Sequence, residues 1–330
     1  MSSSDKVRVY YLASGRLGIP VLDALRHDTR FELVGVGSQP DRPGGRKQRP
    51  VPTPIAAYAQ AKELEVDKPA SVNTAEFHDH LRKLGVDLLV VASFGQLLKA
   101  ALLDLPRLGC LNVHASLLPR HRGASPINQA ILDGDHITGI SFMKMDIGLD
   151  TGPVYQKSVC AIEPTENAVD LEDKLGRLAA EGIGRVIVGI WDGTMAPEVQ
   201  PEEGKTYAKK IRKGDGAADW FESADLLARK VRAYTPWPSV FAMLPTPKGL
   251  KRILITSAEP ASCPPRMVPG TVLESEGKAL SIACGDGALR ILKLVPEGKN
   301  EMNISEFLRG NPVQSGIVLP ACAFGDELNR

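Results

Sequence analysis

Long apolar runs are missing from this chain: none reaches the roughly 18 residues a membrane-crossing helix needs. Excess charge is missing too. With a net charge of +1 and 43% apolar side chains, neither self-repulsion nor weak collapse is available to keep the chain unfolded. Cysteine is scarce. The five present (Cys110, Cys160, Cys263, Cys284 and Cys322) are odd in number and widely spread, with no Cys-x-x-Cys pair to suggest zinc or redox work. They read as reduced packing residues. The start, Met1 to Lys6, lacks both the apolar core of a signal peptide and the Arg-rich amphipathic pattern of a transit peptide, so the expectation is a cytoplasmic protein. Internal repeats and low-complexity tracts are also lacking, and the 31 Gly and 25 Pro follow no short period, which excludes a fibrous protein.

The 330 residues favour about two domains. In the first half, short apolar runs at Val7–Leu12, Phe31–Val36, Asp87–Ala92 and Gly109–Val113 alternate with amphipathic stretches near 16–27, 54–64, 75–84 and 124–132. That alternation predicts a mostly parallel sheet covered by helices. Further strands are expected at Ile140–Met145 and Val154–Ile162, then a long helix over about 167–191 with Leu171, Leu175, Leu178, Val186 and Ile190 at helical spacing. Pro197–Gly204 reads as a linker. After residue 206 the rhythm changes to short strands: Val240–Leu244, Arg252–Ser257, Gly270–Leu273, Leu280–Ala283 and Ala288–Val295. Gly285-Asp286-Gly287 between the last two is a hairpin signal, because glycine supplies the positive φ of a tight turn. A small barrel is the natural closure.

The near-neutral total hides an asymmetry, since residues 206–330 carry 17 basic against 13 acidic side chains. Two basic clusters stand out, Asp41 to Arg49 and Lys205 to Lys213, the second containing no acid. Each is a solvated loop or the footprint of a polyanionic partner.

Ala13-Ser-Gly15-Arg-Leu-Gly18 matches a dinucleotide-binding fingerprint only in part, because Ala13 replaces the first glycine and no acid ends the second strand. A tight strand-to-helix turn explains it equally well. The densest polar cluster runs from Asn112 to Pro126. Residues two apart in a strand share a face, so Asn112 and His114 project together from the carboxyl end of a parallel strand, where open α/β sheets bind ligands. Asp150 lies 38 residues after Asn112, in Asp146-Ile-Gly148-Leu-Asp150-Thr151-Gly152. Amide, imidazole and carboxylate together suit acyl transfer. Singly, each has a plain structural reading: a turn former, a half-buried histidine, a loop cap.

Asn112-x-His114, then Ser116-Leu-Leu-Pro-Arg-x-Arg-Gly-x-x-Pro126, then Met145-Asp-Ile-Gly-Leu-Asp150-Thr-Gly152, resembles the folate-dependent formyltransferases. Gln39-Pro-Asp-Arg-Pro43, Thr206-Tyr-Ala-Lys209, Pro236-Trp237-Pro238 and Glu297-Gly-Lys299-x-x-Met302 are similar to the branch of that family that acts on tRNA. The resemblance covers about residues 7–320. His121 departs from it, standing where many relatives have tryptophan, and Pro320–Arg330 matches nothing in it.

The resemblance implies a Rossmann-like α/β catalytic domain over residues 1–205 and an OB-like β-barrel tRNA-binding domain over 206–330. It implies transfer of the formyl group of 10-formyltetrahydrofolate to the α-amine of methionine on initiator tRNA, by a cytoplasmic monomer that uses no metal. Asn112, His114 and Asp150 become the implied catalytic residues. The implied folate contacts are Phe94, Gly95, Gln96, Leu97, Leu98, Ser116, Leu117, Leu118, Pro119, Asp146 and Gly148. The implied tRNA contacts are Arg42, Arg46, Lys47, Arg49, Lys209, Lys210, Arg212 and Lys213. Two other classes compete with this reading. A formyltransferase for small amines would keep the three catalytic residues without needing the basic clusters; an inert nucleic-acid-binding protein would keep the clusters and could discard the three.

Overall fold

The computed structural model describes residues 6–44, 49–247, 249–274 and 279–320, and they form two compact units. The first comprises residues up to Pro126, His136–Ile162 and Asp170–Lys209; the second comprises Ile127–Asp135, Glu163–Val169 and the chain from Lys210 onward.

The chain opens with β1 (Val7–Ala13), α1 (Gly18–His27) and β2 (Phe31–Gly37). A small antiparallel ribbon, β3 (Arg42–Gly44) and β4 (Arg49–Val51), carries Arg42 and Arg49 of the first basic cluster. Helices α2 (Pro54–Ala61) and α3 (Ala75–Lys83) follow, each begun by a threonine: the Oγ1 of Thr53 accepts from the Ala56 amide and that of Thr74 from the Phe77 amide. Then come β5 (Leu88–Ala92), α4 (Ala100–Leu103), β6 (Cys110–His114), β7 (Arg122–Gly123), α5 (Pro126–Asp133), β8 (Ile137–Lys144), β9 (Val154–Ala161), α6 (Ala168–Trp191) and β10 (Tyr207–Ala208).

The main sheet of the first unit has the order β2-β1-β5-β6-β8-β9. Its first four strands are mutually parallel; β8 runs antiparallel to them, and β9, antiparallel to β8, returns to their direction. Because β1 leads to β2 on one flank while β5 lies on the other, the chain reverses its direction of travel across the sheet at β1, and loops splay at the carboxyl edge there. Strands β1 and β5 are buried on both faces, which explains their near-continuous apolar sequences. Tyr10, Leu12, Leu89 and Val91 pack with Val72, Phe77 and Leu81 to make one core. Helix α6 buries Leu171, Leu175, Val186 and, beyond the expected stripe, Ala179, Ile183 and Ile187, while Leu178 and Ile190 are half-buried. At Gly182 an added Cβ would sit 2.8 Å from the Phe142 ring, so this helix can lie against β8 only without a side chain there.

The second unit contains a 3₁₀ turn at Lys213–Gly216, α7 (Ala224–Ala233), β11 (Val240–Thr246), β12 (Gly249–Ala261), β13 (Val272–Glu274), β14 (Leu280–Ala283), β15 (Ala288–Pro296), β16 (Met302–Asn303) and α8 (Ile304–Gly310). Its antiparallel sheet runs β11-β12-β15-β14-β13, with β16 on β15, and curls into a half-barrel. The expected hairpin pairs Ala283 with Ala288. Helix α7 was not expected. Its cap is Ser223, whose Oγ accepts from the Leu226 amide, and it buries Leu227, Ala228 and Val231. Helix α5 joins this unit: Asn128 Nδ2 donates to the Ala233 carbonyl (2.6 Å) and Arg229 Nε to that of Leu132 (2.9 Å).

None of the four described cysteines is in a disulfide, and burial pushes the thiols of Cys110 and Cys284 up to about 12. Among the described residues no helix is long and apolar enough to cross a membrane.

Candidate active site

Strand β6 ends at His114, and its antiparallel register with β8 sets Asn112 opposite Met143 and His114 opposite Ser141. The His114 side chain is buried, and its Nε2 lies 3.0 Å from the carbonyl oxygen of His121. A carbonyl can only accept, so Nε2 carries a hydrogen and donates it, leaving Nδ1 as the nitrogen directed to the rest of the site. Asp150 reaches the same place from the loop after β8. Its Oδ2 accepts from the Gly123 amide (2.7 Å) and lies 3.7 Å from His114 Nδ1; its Oδ1 accepts from Asn112 Nδ2 (3.3 Å). The three residues singled out by spacing thus converge. The His121 carbonyl fixes the imidazole plane; Asp150, at 3.7 Å from Nδ1, is too far for a hydrogen bond.

Two backbone features hold Asp150. Its own φ is +53°, in the left-handed region that aspartate and asparagine tolerate better than most side chains. Gly123, whose amide binds the carboxylate, has φ +120°, and a Cβ there would lie 2.6 Å from the Ala208 carbonyl oxygen. Earlier in the Asp150 loop, Asp146 accepts from the Gly148 amide (3.0 Å) and the Thr151 hydroxyl (2.8 Å), closing a turn that leaves Ile147 and Leu149 exposed.

The loop after β5 is pinned at both ends. Asn73 donates to the Leu97 carbonyl and accepts from the Lys99 amide, both at 2.8 Å, and Gln96 Oε1 accepts from the Val72 amide (3.0 Å). The Phe94 carbonyl accepts from Gln39 Nε2 (3.1 Å), Gly95 has φ +84°, Leu97 is exposed, and Phe94 and Leu98 are buried. The Ser116–Pro119 segment turns inward. Ser116 donates to the Arg120 carbonyl (2.6 Å), Leu118 is fully buried beside Met143 and Val154, and Leu117 and Pro119 are half-buried.

Comparison with known proteins agrees along most of the chain. Residues 6–187 match the formyl transferase family model, and residues 210–312 match that of the formyl transferase C-terminal domain. The methionyl-tRNA formyltransferase of Gluconobacter oxydans (strain 621H) is 42% identical over 315 residues, covering 95% of this chain and all of that protein. The protein of the same name from Paramagnetospirillum magneticum (strain ATCC 700264 / AMB-1) is 41% identical over 314 residues, again covering 95% of this chain and all of that protein. The chain belongs to the formyl transferase family. Two solved structures share its fold. An N-formyltransferase from Helicobacter canadensis, in complex with folinic acid and dTDP-3-aminofucose, has a TM-score of 0.61 at 16% identity, covering 86% of this chain and 98% of that one. HypX from Aquifex aeolicus, in complex with tetrahydrofolic acid, also has a TM-score of 0.61 at 16% identity, over 91% of this chain and 46% of that one. The present chain therefore spans about half the length of HypX.

In this formyl transferase the basic residues singled out by sequence are distributed over both units. Arg42 and Arg49 are exposed at the ends of the β3–β4 ribbon, and Arg46 and Lys47 lie outside the described residues. Lys209 is exposed at the end of the first unit, and Lys210, Arg212 and Lys213 are exposed at the start of the second. Among the described residues no group of three His, Cys, Asp or Glu could hold a metal ion. Sequence reasoning gave no role to Gly123, Thr206 or Gln200. Gly123 lies inside the Arg122-Gly motif and could have been weighed as a backbone donor. Thr206 Oγ1 accepts from the His121 amide (2.8 Å), and Gln200 sits in the supposed linker, where nothing local distinguishes it.

Proposed function

We propose that this chain transfers the formyl group of 10-formyltetrahydrofolate to the α-amino group of methionyl-initiator tRNA, giving formylmethionyl-tRNA for translation initiation. The observation that carries this reading is the end-to-end match, at 42% and 41% identity, to two proteins named for that activity, each covered over its entire length. The convergence of Asn112, His114 and Asp150 at the sheet's ligand edge supports it independently.

The attacking amine must be neutral, and as it adds to the formyl carbon the carbonyl oxygen becomes negative. Asn112 uses one amide hydrogen on Asp150 and has a second for that oxygen. His114 donates through Nδ1–H when protonated, its Nε2–H being committed to His121. Asp150 stabilises the imidazolium and relays a proton from the attacking nitrogen towards folate N10, directly or through water. 10-Formyltetrahydrofolate supplies the activated formyl group, and its N10 takes the proton as the carbon–nitrogen bond breaks. The net change is one C–N bond formed, one broken and one proton moved. An amine needs no covalent enzyme intermediate once it is deprotonated and positioned.

Folate binding by the Phe94–Leu98 and Asp146–Asp150 loops fits the exposed apolar side chains of Leu97, Ile147 and Leu149 and the backbone groups around them, which suit a flat heterocycle rich in donors and acceptors. Of the Ser116–Pro119 positions, Leu117 and Pro119 have the exposure such a role requires. The exposed cations Arg42, Arg49, Lys209, Lys210, Arg212 and Lys213 are the ones we assign to tRNA phosphates, with Arg46 and Lys47 of the same cluster. We keep 1–205 as the catalytic domain and 206–330 as the tRNA-binding domain of a cytoplasmic monomer. The test is a parallel assay of purified protein with labelled 10-formyltetrahydrofolate and methionyl-tRNA, free methionine or an amino-sugar nucleotide. Label in the charged tRNA alone supports the reading; transfer to the amino sugar and not to tRNA overturns it.

A further inference from the structure

We propose that Gln200 is a positioning residue for formyl transfer, holding Asp150 in its working conformation through the main chain; the inference rests on the catalytic role given to Asp150 above. Gln200 lies in what the sequence presents as a Pro- and Glu-rich linker, yet its side chain is buried and every polar atom of it is used. Its Oε1 accepts two hydrogen bonds from the Arg122 guanidinium, from Nε at 3.0 Å and from Nη2 at 2.8 Å. Its Nε2 donates to the carbonyls of Asp150 (2.9 Å) and Gly152 (2.6 Å). A glutamine amide has two donor hydrogens and one carbonyl oxygen. All are spent, on two loops that come from distant parts of the sequence.

Asp150 needs such a restraint. A left-handed backbone at a residue other than glycine costs free energy and persists only where its surroundings over-determine it. The side chain is gripped by Asn112 and Gly123, but those contacts fix the carboxylate and not the peptide planes on either side of it. Gln200 supplies that grip by binding the carbonyl of Asp150 and that of Gly152 at once.

The segment carrying Gln200 is itself a strap across both halves of the site. At one end Glu198 exchanges two backbone hydrogen bonds with Val154, each 2.8 Å. At the other, Thr206 and Ala208 accept from the amides of Arg122 and Ala124, each 2.9 Å. Arg122 is buried and donates to Gln200 alone among the side-chain bonds described above, so its guanidinium keeps the glutamine amide turned with its nitrogen towards the Asp150 loop.

Two substitutions separate a positioning role from a merely structural one. Gln200→Glu retains an oxygen to accept both bonds from Arg122 and adds an ion pair, but it has no N–H for the two carbonyls and brings a negative oxygen against them. Gln200→Leu removes both functions. We expect Gln200→Glu to remain folded at the assay temperature and to lose about 10–100-fold in kcat, the size of effect typical when outer partners of reacting groups are removed. Its KM for both substrates should stay within about threefold of wild type. Gln200→Leu should lose both kcat and thermal stability, since Arg122 is then left buried without its acceptor. Wild-type kcat in Gln200→Glu overturns the proposal, because donation to Asp150 and Gly152 is then dispensable. So does a fall in kcat matched in both variants by loss of the folded fraction. Asp150→Asn, measured alongside, separates the two levels of argument. If it retains full activity, the catalytic reading of Asp150 fails and the Gln200 proposal falls with it; if it is inactive while Gln200→Glu is not, the Gln200 proposal alone fails.

Discussion

Replacing Asp150 by asparagine is the cleanest perturbation of the site, because it changes charge while preserving shape and backbone. Asparagine tolerates the left-handed φ of +53° as well as aspartate does, and its amide oxygen can still accept from the Gly123 amide. What disappears is the acceptor for Asn112 Nδ2 and a negative charge 3.7 Å from His114 Nδ1, in a site where the two side chains are only 15% and 5% exposed. At the effective dielectric of about 20 that describes such sites, a unit charge pair near 4 Å is worth about 4 kcal/mol. If that interaction develops with the imidazolium in the transition state, its loss lowers kcat roughly a thousandfold. The assay is single-turnover transfer of labelled formyl group to methionyl-tRNA with enzyme in excess, alongside thermal unfolding. A rate within tenfold of wild type in a fully folded Asp150→Asn protein would refute the role given to this carboxylate.

Three further outcomes are expected. Neutralising Arg42, exposed on the β3–β4 ribbon, should weaken tRNA binding and reduce the slope of log K against log salt by about 1; an unchanged slope removes Arg42 from the phosphate contacts. Gly123→Ala forces a Cβ to within 2.6 Å of the Ala208 carbonyl oxygen at φ +120°. At about 3 kcal/mol or more of strain, its thermal midpoint should fall by about 6 °C or more in calorimetry, with loss of activity. Cys110, buried with its thiol pushed up to about 12, should resist iodoacetamide at pH 8 until the protein unfolds. The same shift means the folded state binds more protons above the ordinary thiol range, so this group's contribution to stability is complete below that range and is lost as pH rises towards about 12. Mass spectrometry of labelled peptides across a denaturant series reads this directly.

The parallel half of the main sheet was legible because strands buried on both faces are written as unbroken apolar runs, such as Leu88–Ala92. The long helix was legible as well, though only half of its buried stripe: Ala179, Ile183 and Ile187 join it because the glycines along the helix let it lie closer to its neighbours than side-chain size alone suggests. Helix α7 escaped notice because its ten residues sit among strand-like runs, and only the Ser223 cap followed by Leu227 and Val231 marks it. The convergence of Asn112, His114 and Asp150 was readable from strand geometry and the 38-residue offset. Its supports were not. A backbone amide such as that of Gly123, a carbonyl such as that of His121, and a glutamine that acts by folding back from a linker leave no periodicity to read. The partial dinucleotide fingerprint also has a physical explanation, since a Cβ at Gly18 would lie 2.6 Å from the Tyr11 hydroxyl. There the glycine answers to packing.

The central claim is that His114, held by the His121 carbonyl and facing Asp150, acts on the reacting atoms and not on tRNA binding. Its most direct test is single-turnover formyl transfer by His114→Ala at saturating folate, with tRNA affinity measured on the same preparation. The account predicts a chemical step slower by about 10²–10⁴ with tRNA affinity unchanged. A transfer rate within about threefold of wild type, or a loss wholly explained by weaker tRNA binding, would contradict it.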